Sequence, residues 1–312
     1  MKHNSSPRGS VLITGASSGI GRASTLALTQ AGFRVFAGVR RESDGAALLA
    51  AATGSLIPVI LDVTDAQSIA TAAEWISTTV GPAGLTGLVN NAGVGLTGPT
   101  EVVPVADIRG LYEVNVFGQV AVIQAFLPLL RAGSGRMINL GSIGDRLSLP
   151  FGAALASSKW AFASITESLR MELRPWGIHV VLIEPASIHT ETVDKAEADA
   201  QRRLERMSPG ERARYGPAYT AMTSRFLAGE REGSGPDVVA GTIVRAMTAR
   251  RPRTRYLVGK DSGRLAFLAR WAPDRLFDRI RIRLFGLPAG FGSAAAGEPT
   301  TPTLTAVQGA QQ

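Results

Sequence analysis

The 312-residue chain contains no cysteine. Disulfides, thiolate metal sites and cysteine nucleophiles are therefore excluded, nothing in the composition asks for an oxidising compartment, and no metal site is expected. Lysine and tyrosine are also scarce: only Lys2, Lys159, Lys195 and Lys260 accompany the 29 arginines, and the tyrosines are Tyr112, Tyr215, Tyr219 and Tyr256. Long apolar runs are missing too. Met1 to Gly9 is polar, the run Val11 to Thr14 is too short for the apolar region of a signal peptide, and no stretch approaches the roughly 20 apolar residues that span a bilayer. The expectation is a cytoplasmic protein, at most peripheral to a membrane.

What is present suffices for one sizeable core, since 45% of the residues are hydrophobic and α/β folds often run to this length as a single domain. The net charge of +8 is concentrated between Arg245 and Arg283, where twelve Lys or Arg face three Asp. Basicity without a recognition motif or an aromatic platform does not indicate nucleic acid, and none is expected as a partner.

From residue 10 to residue 184, short apolar runs alternate with longer helix-compatible segments, the pattern of strand and crossover-helix units feeding a parallel sheet. Strands are expected at Val11 to Thr14, Arg34 to Val39, Leu56 to Leu61, Leu88 to Asn90, Arg136 to Leu140 and His179 to Glu184. A last one is expected at Arg255 to Val258. Asp65 can cap a helix toward Val80 that Gly81 and Pro82 end, and a long helical segment follows Pro104 to Asp107 and stops near Ala132 and Gly133. Residues 1–9 and 288–312 read as disordered tails, the latter small, polar and Pro-containing from Gly292 onward. The domain spans 10–287, with a charged, alanine-rich and mobile helical lid over about 190–233.

The first strand runs into Thr14, Gly15, Ala16, Ser17, Ser18, Gly19, Ile20 and Gly21, and then into a helix-compatible stretch. Glycines here permit a tight turn and close approach of a pyrophosphate, and the helix N-terminus offers unpaired N–H groups to its charge. Where an NAD-preferring site places an acid after the second strand, this chain has Arg40 and Arg41, whose guanidinium groups suit a 2′-phosphate. The cofactor expected is NADP(H).

These eight residues resemble the cofactor motif of the short-chain dehydrogenase/reductase family. Asn90, Asn91, Ala92 and Gly93 match that family's segment after the fourth strand; Asp62 and Val63 resemble its adenine-contacting pair, and Glu113 to Val116 carries its helix asparagine, Asn115. Ile138 to Ser142 ends on its active-site serine, and Pro185 to Thr190, through Ile188, resembles its segment beside the nicotinamide, with Ala186 for the common glycine. The likeness covers about residues 10–190. It implies a doubly wound parallel sheet of the Rossmann type, hydride transfer between nicotinamide and a small apolar substrate, and homodimers or homotetramers paired through the helices around Asn115 and Lys159.

One position departs from the family. Lys159, which the resemblance assigns to the nicotinamide ribose, should be preceded four residues earlier by a tyrosine acid, and this chain has Leu155. A side chain four residues away lies on the same helix face, so no neighbour substitutes by spacing alone. Three readings stay open. Hydride goes to an acceptor needing no tyrosine, such as an imine, an iminium or an activated carbonyl, with Asp145 or His189 as a tentative replacement donor. Alternatively the fold performs a non-redox cyclisation, isomerisation or elimination, or it is a silent nucleotide-binding subunit. Retention of Ser142, Asn115 and Lys159 favours the first. The arginine-rich amphipathic stretches Arg264 to Trp271 and Arg275 to Phe285 are expected to pack on the domain or a sister subunit, or to touch a membrane surface.

Overall fold

The computed structural model describes residues 7–287. Seven parallel strands form one sheet: β1 (Ser10–Ile13), β2 (Arg34–Val39), β3 (Leu56–Ile60), β4 (Gly87–Asn90), β5 (Arg136–Leu140), β6 (His179–Pro185) and β7 (Arg255–Val258), ordered 3-2-1-4-5-6-7. Helices α1 (Gly19–Gln30), α2 (Glu42–Ala51), α3 (Ala66–Val80), α4 (Val105–Tyr112), α5 (Gly118–Ala132) and α6 (Ala153–Glu172) make the crossovers. Beyond β6 come α7 (Thr192–Arg206), α8 (Pro209–Arg231), α9 (Asp237–Thr248), α10 (Ser262–Trp271) and α11 (Asp274–Leu284). The order reverses between β1 and β4, which opens a crevice above the carboxyl ends of those strands.

Period-two alternation divides the core into two layers. Val11 and Ile13 face one side of the sheet with Val35, Ile138 and Val181, covered by Leu28 of α1 and by Val239, Ile243 and Met247 of α9. Leu12 faces the other side with Phe36, Leu88, Met137 and Val180, beneath Ile76, Val122, Phe126 and Phe162. Burial on both faces explains why the inner strands read as short continuous apolar runs, whereas β3 and β7 at the sheet edges are only partly buried. Asp65 caps α3, its carboxylate accepting from the N–H groups of Gln67 and Ser68.

Two expectations are corrected. Disorder does not extend through residue 9: Arg8 N–H donates to Gly32 O and Gly9 O accepts from Arg34 N–H, each at 2.9 Å, so the chain is tied to the sheet before β1 begins. Residues 1–6 and 288–312, the remainder of the expected tails, lie outside the described residues. Second, α4 and α5 join through a π turn at Glu113–Phe117 into one 28-residue helical segment, Val105–Ala132, which is long and apolar enough to cross a membrane. Glycine, glutamine and scattered charges break its apolar run in sequence while its mean hydropathy stays high, and Val122, Ile123, Phe126 and Leu130 bury one face against the sheet.

The lid helices α7 and α8 share a small core of Ala200, Met207, Tyr219 and Met222. Ser208 and Glu211 form a reciprocal capping box that fixes the start of α8. In α10 and α11, Ala266 and Phe277 are buried whereas Phe267, Trp271 and Leu284 stay exposed. Packing on the domain itself is thus carried by Ala266 and Phe277.

Candidate active site

The glycine turn is built for close approach. Gly15 and Gly19 adopt positive φ, +65° and +50°, and a Cβ on Gly21 would lie 2.0 Å from Gly15 O and 2.5 Å from Asn91 Nδ2. Asn91 Nδ2 donates to Thr14 O and Gly15 O, while Thr14 Oγ1 accepts from the N–H groups of Asn91 and Ala92, so the two motifs lock each other. No side chain caps α1, whose first amides are left for an anion.

A cleft of about 350 Å³ runs from this turn, lined by Gly15, Ser17 to Gly21, Arg40, Asp62, Val63, Asn91 to Gly93, Thr190 and Lys195. Ala16 is turned inward instead, fully buried with its N–H on Gly38 O. Of the two arginines after β2, Arg40 lines the cleft and Arg41 is tied in a bidentate pair to Asp44. Asp62 accepts from the backbone and hydroxyl of Thr64. Burial opposes its ionisation, but those bonds and the nearby Arg40 charge hold its carboxyl below the usual range.

The cleft leads into an inner cavity of about 300 Å³. Ser142, Leu155, Lys159, Pro185, Ile188 and Thr190 line it, with Leu147, Leu149, Met222 and Phe226 supplying an apolar wall. Leu155 therefore does face the crevice. Ser142 Oγ accepts from Gly144 N–H at 3.0 Å, which orients the hydroxyl at the end of β5. Lys159 reaches back to Leu140 O at 3.4 Å, and burial pushes its ammonium down to about 8 against the opposing charge of Asp145.

Asn115 sits on the π turn and is almost fully buried. Its Oδ1 accepts from Val94 N–H, and its Nδ2 donates to Val94 O and Ser158 Oγ, clamping the loop after β4 to α6. A Cβ on Gly93 would lie 3.4 Å from Asn115 Oδ1 and 3.7 Å from Lys159 Nζ, so both side chains close behind the cleft at ordinary contact distance from this backbone. A buried ladder, Asn90 to Asn139 to Thr166, holds β4, β5 and α6 in register beneath.

Neither expected replacement donor reaches the inner cavity. The short turn Ile143–Asp145 swings Asp145 behind Gly141, where a Cβ would lie 2.7 Å from Asp145 Oδ2. Asp145 lines a separate crevice with Arg146, Glu167 and Arg255. Glu184 beside it takes a bidentate Arg146 and a second bond from Arg255. Neither oxygen of Asp145 has a hydrogen-bond partner among the described residues; burial, followed by the Glu184 carboxylate, pushes its carboxyl up to about 8 against both arginines. His189 is exposed, held by its backbone to Ser234, and lines none of these cavities.

Sequence reasoning missed Glu230, which lies in the last turn of α8 and enters the inner cavity from the lid. Nothing local marks it, because Glu230, Arg231 and Glu232 read as an ordinary solvated helix end.

The family model described as short chain dehydrogenase matches residues 10–201. The chain belongs to the short-chain dehydrogenase family. Within it, human retinol dehydrogenase 5 is 37% identical over 288 residues, covering 89% of this chain and 89% of that protein. An NADPH-dependent 3-dehydrocapnine reductase of Ornithobacterium rhinotracheale is 34% identical over 274 residues, covering 86% of this chain and 94% of the reductase. A short chain dehydrogenase of Burkholderia cenocepacia, solved in complex with NADP, superposes with a TM-score of 0.66 at 25% identity, over 88% of this chain and 98% of the other. This short-chain dehydrogenase is accordingly an oxidoreductase-family protein whose fold binds a nicotinamide cofactor.

Proposed function

We propose that this protein is an NADP(H)-dependent oxidoreductase that transfers hydride to a small or medium apolar substrate, an imine, iminium or activated carbonyl, without a tyrosine acid. The observation that carries the reading is that the glycine-lined cleft adjoins, across Ile20, Thr190 and Thr192, an apolar cavity that Ser142, Lys159 and Leu155 line. The residues fit the cofactor. The glycine turn and the free amides of α1 suit a pyrophosphate, Arg40 suits a 2′-phosphate, Asp62 and Val63 the adenine end, and Lys159 with Pro185, Ile188 and Thr190 the nicotinamide end. Bound there, NADPH supplies the hydride. The protein's own contribution is to orient the substrate heteroatom with Ser142, exclude water with the lid, and hold positive charge nearby on Lys159. The NADPH-dependent relative and the NADP-bound neighbour support the cofactor choice.

Leu155 in the cavity wall favours one second reading, a non-redox reaction on the same fold with the cofactor as part of the wall. Purified protein is titrated with NADPH and NADH, then mixed with a panel of imine, enone and ketone acceptors while nicotinamide absorbance is followed. Oxidation of NADPH by members of the panel supports hydride transfer. Tight NADPH binding with no oxidation across the panel refutes it in favour of the non-redox reading.

The protein is placed in the cytoplasm on this reading, as a homodimer or homotetramer. Exposed Phe117, Trp160 and Met171 on and beside α5 and α6 support that pairing. Exposed Phe267 and Trp271 among the arginines of α10 support contact with a membrane surface.

A further inference from the structure

Among the described residues, two ionisable side chains line the inner cavity, Lys159 from α6 and Glu230 from α8. We propose that Glu230 is the catalytic acid of this active site, a carboxyl group on the lid that protonates the substrate heteroatom in place of the missing phenol. This rests on the hydride-transfer reading above.

Three features of its placement carry the proposal. First, Glu230 shares the cavity with Ser142 and Leu155, so a heteroatom held by the serine is confined to a space that the carboxyl also borders. Second, the carboxyl is positioned and not free to wander. Its Oε2 accepts from Ile188 N–H at 3.3 Å, and that loop is itself stapled to the chain after α8, with Ser234 N–H on Ser187 O and His189 N–H on Ser234 O, each at 2.9 Å. Third, Glu230 also borders an outer cavity of about 520 Å³ between α7 and the loop after β4, which gives it a route to solvent protons.

The charges around it are mixed. Lys159 lines the inner cavity with it, and the outer cavity is also lined by Lys195, Asp199, Arg202, Arg203 and Arg206 of α7 and by Asp107 of α4. Two of the arginines are already occupied, Arg203 by Asp107 and Arg202 by Asp199. Burial dominates the carboxyl, pushing it up to about 7 against the bonds from Ile188 and Ser187, so the acid form persists near neutrality.

The step balances without another reactant. The substrate carbon gains one hydrogen with its electron pair from the reduced nicotinamide, which is oxidised. The C=O or C=N π pair moves onto the heteroatom, which forms a bond to the Glu230 proton as the carboxyl O–H breaks. One proton taken up from bulk solvent through the outer cavity then restores the acid form.

The test compares the full-length protein with its Glu230→Gln and Glu230→Asp variants, each with NADPH and an acceptor that the wild type reduces. Expected for Glu230→Gln is a loss of about 10² to 10⁴-fold in kcat, with NADPH affinity within about twofold of wild type. The wild-type rate should fall as pH rises through about 7 and this limb should vanish in Glu230→Gln, while Glu230→Asp keeps a limb at reduced rate. Independently of turnover, and in an Asp145→Asn background that removes the band of that second protonated carboxyl, infrared difference spectra of the NADPH complex should show a protonated-carboxyl band that titrates in the same range and is absent once Glu230 is also changed to Gln. A Glu230→Gln variant within about threefold of wild type overturns the proposal while leaving hydride transfer standing, as does one whose rate still falls through about 7; a fall near 8 from deprotonation of Lys159 is common to both proteins. If Glu230→Gln fails to fold, a Glu230→Asp variant at wild-type rate with no protonated-carboxyl band in the Asp145→Asn protein overturns it as well. A wild type that oxidises no NADPH with any acceptor removes the hydride reading and the acid role together.

Discussion

Asp145 should make the folded protein less stable as pH rises through the neutral range, and Asp145→Asn should abolish that loss. Its side chain is fully enclosed with Glu184 alongside, and its carboxyl is pushed up to about 8, first by burial and then by Glu184, through the hydrogen bond that the protonated form can share with it and through its charge. In the unfolded chain the same group ionises near 3.9. At pH 6 the unfolded chain has therefore already released this proton while the folded chain still holds it, so each further pH unit favours unfolding by up to about 1.4 kcal/mol. The penalty levels off once the folded carboxyl ionises, giving about 2 kcal/mol between pH 6 and pH 8. Asparagine has nearly the shape of the protonated acid and carries no charge, so its variant lacks this dependence. The assay is urea denaturation of both proteins at several pH values, read as the difference between them, in which the titration of Glu230 and of exposed groups cancels. Stability curves that run parallel from pH 6 to pH 8 would refute the reasoning, and would mean that Arg146 and Arg255, each 4.0 Å from Asp145, keep the carboxylate ionised in the folded state.

Gly21→Ala should weaken NADPH binding by more than about tenfold, because its Cβ meets backbone at Gly15 and the side chain of Asn91; calorimetry of cofactor binding checks this. Arg40→Asp should cost NADPH about 1.5 to 3 kcal/mol and NADH almost nothing, so equal losses for both cofactors would show that Arg40 does not read the 2′-phosphate. Leu155→Tyr should raise reduction of unactivated ketones by up to about 10²-fold and discriminate against bulkier acceptors, measured as kcat/KM across a size series, since the phenol adds a proton donor and fills part of the cavity.

Much of the sheet was legible because its cause is local. All seven expected runs became strands with ends displaced by a residue at most, the inner ones because a strand buried on both faces must be a short apolar run, although the edge strands β3 and β7 are only partly buried. Asp65 could be named as a cap because capping depends on two or three consecutive residues. The spanning-length helix was missed because counting apolar residues ignores small and amide side chains that leave mean hydropathy high. Arg40 and Arg41 were indistinguishable in sequence; only the start of α2 shows that Arg41 turns back to Asp44. Asp145 looked like a donor because it follows Ser142 by three residues, yet a single turn of chain was enough to carry it behind Gly141.

The sequence by itself determined the alternation of strands and helices, the phosphate-binding turn, and the single file of residues that end at the carboxyl edge of the sheet, since each depends on short-range pattern and on which backbone shapes glycine allows. The tertiary structure alone decided which ionisable groups share the cavity. Glu230 and Ser142 lie 88 residues apart and line one cavity, a matter of long-range packing. It also decided which acid is buried against another acid and which is left facing the substrate space, because burial and charge neighbours are properties of the packed chain.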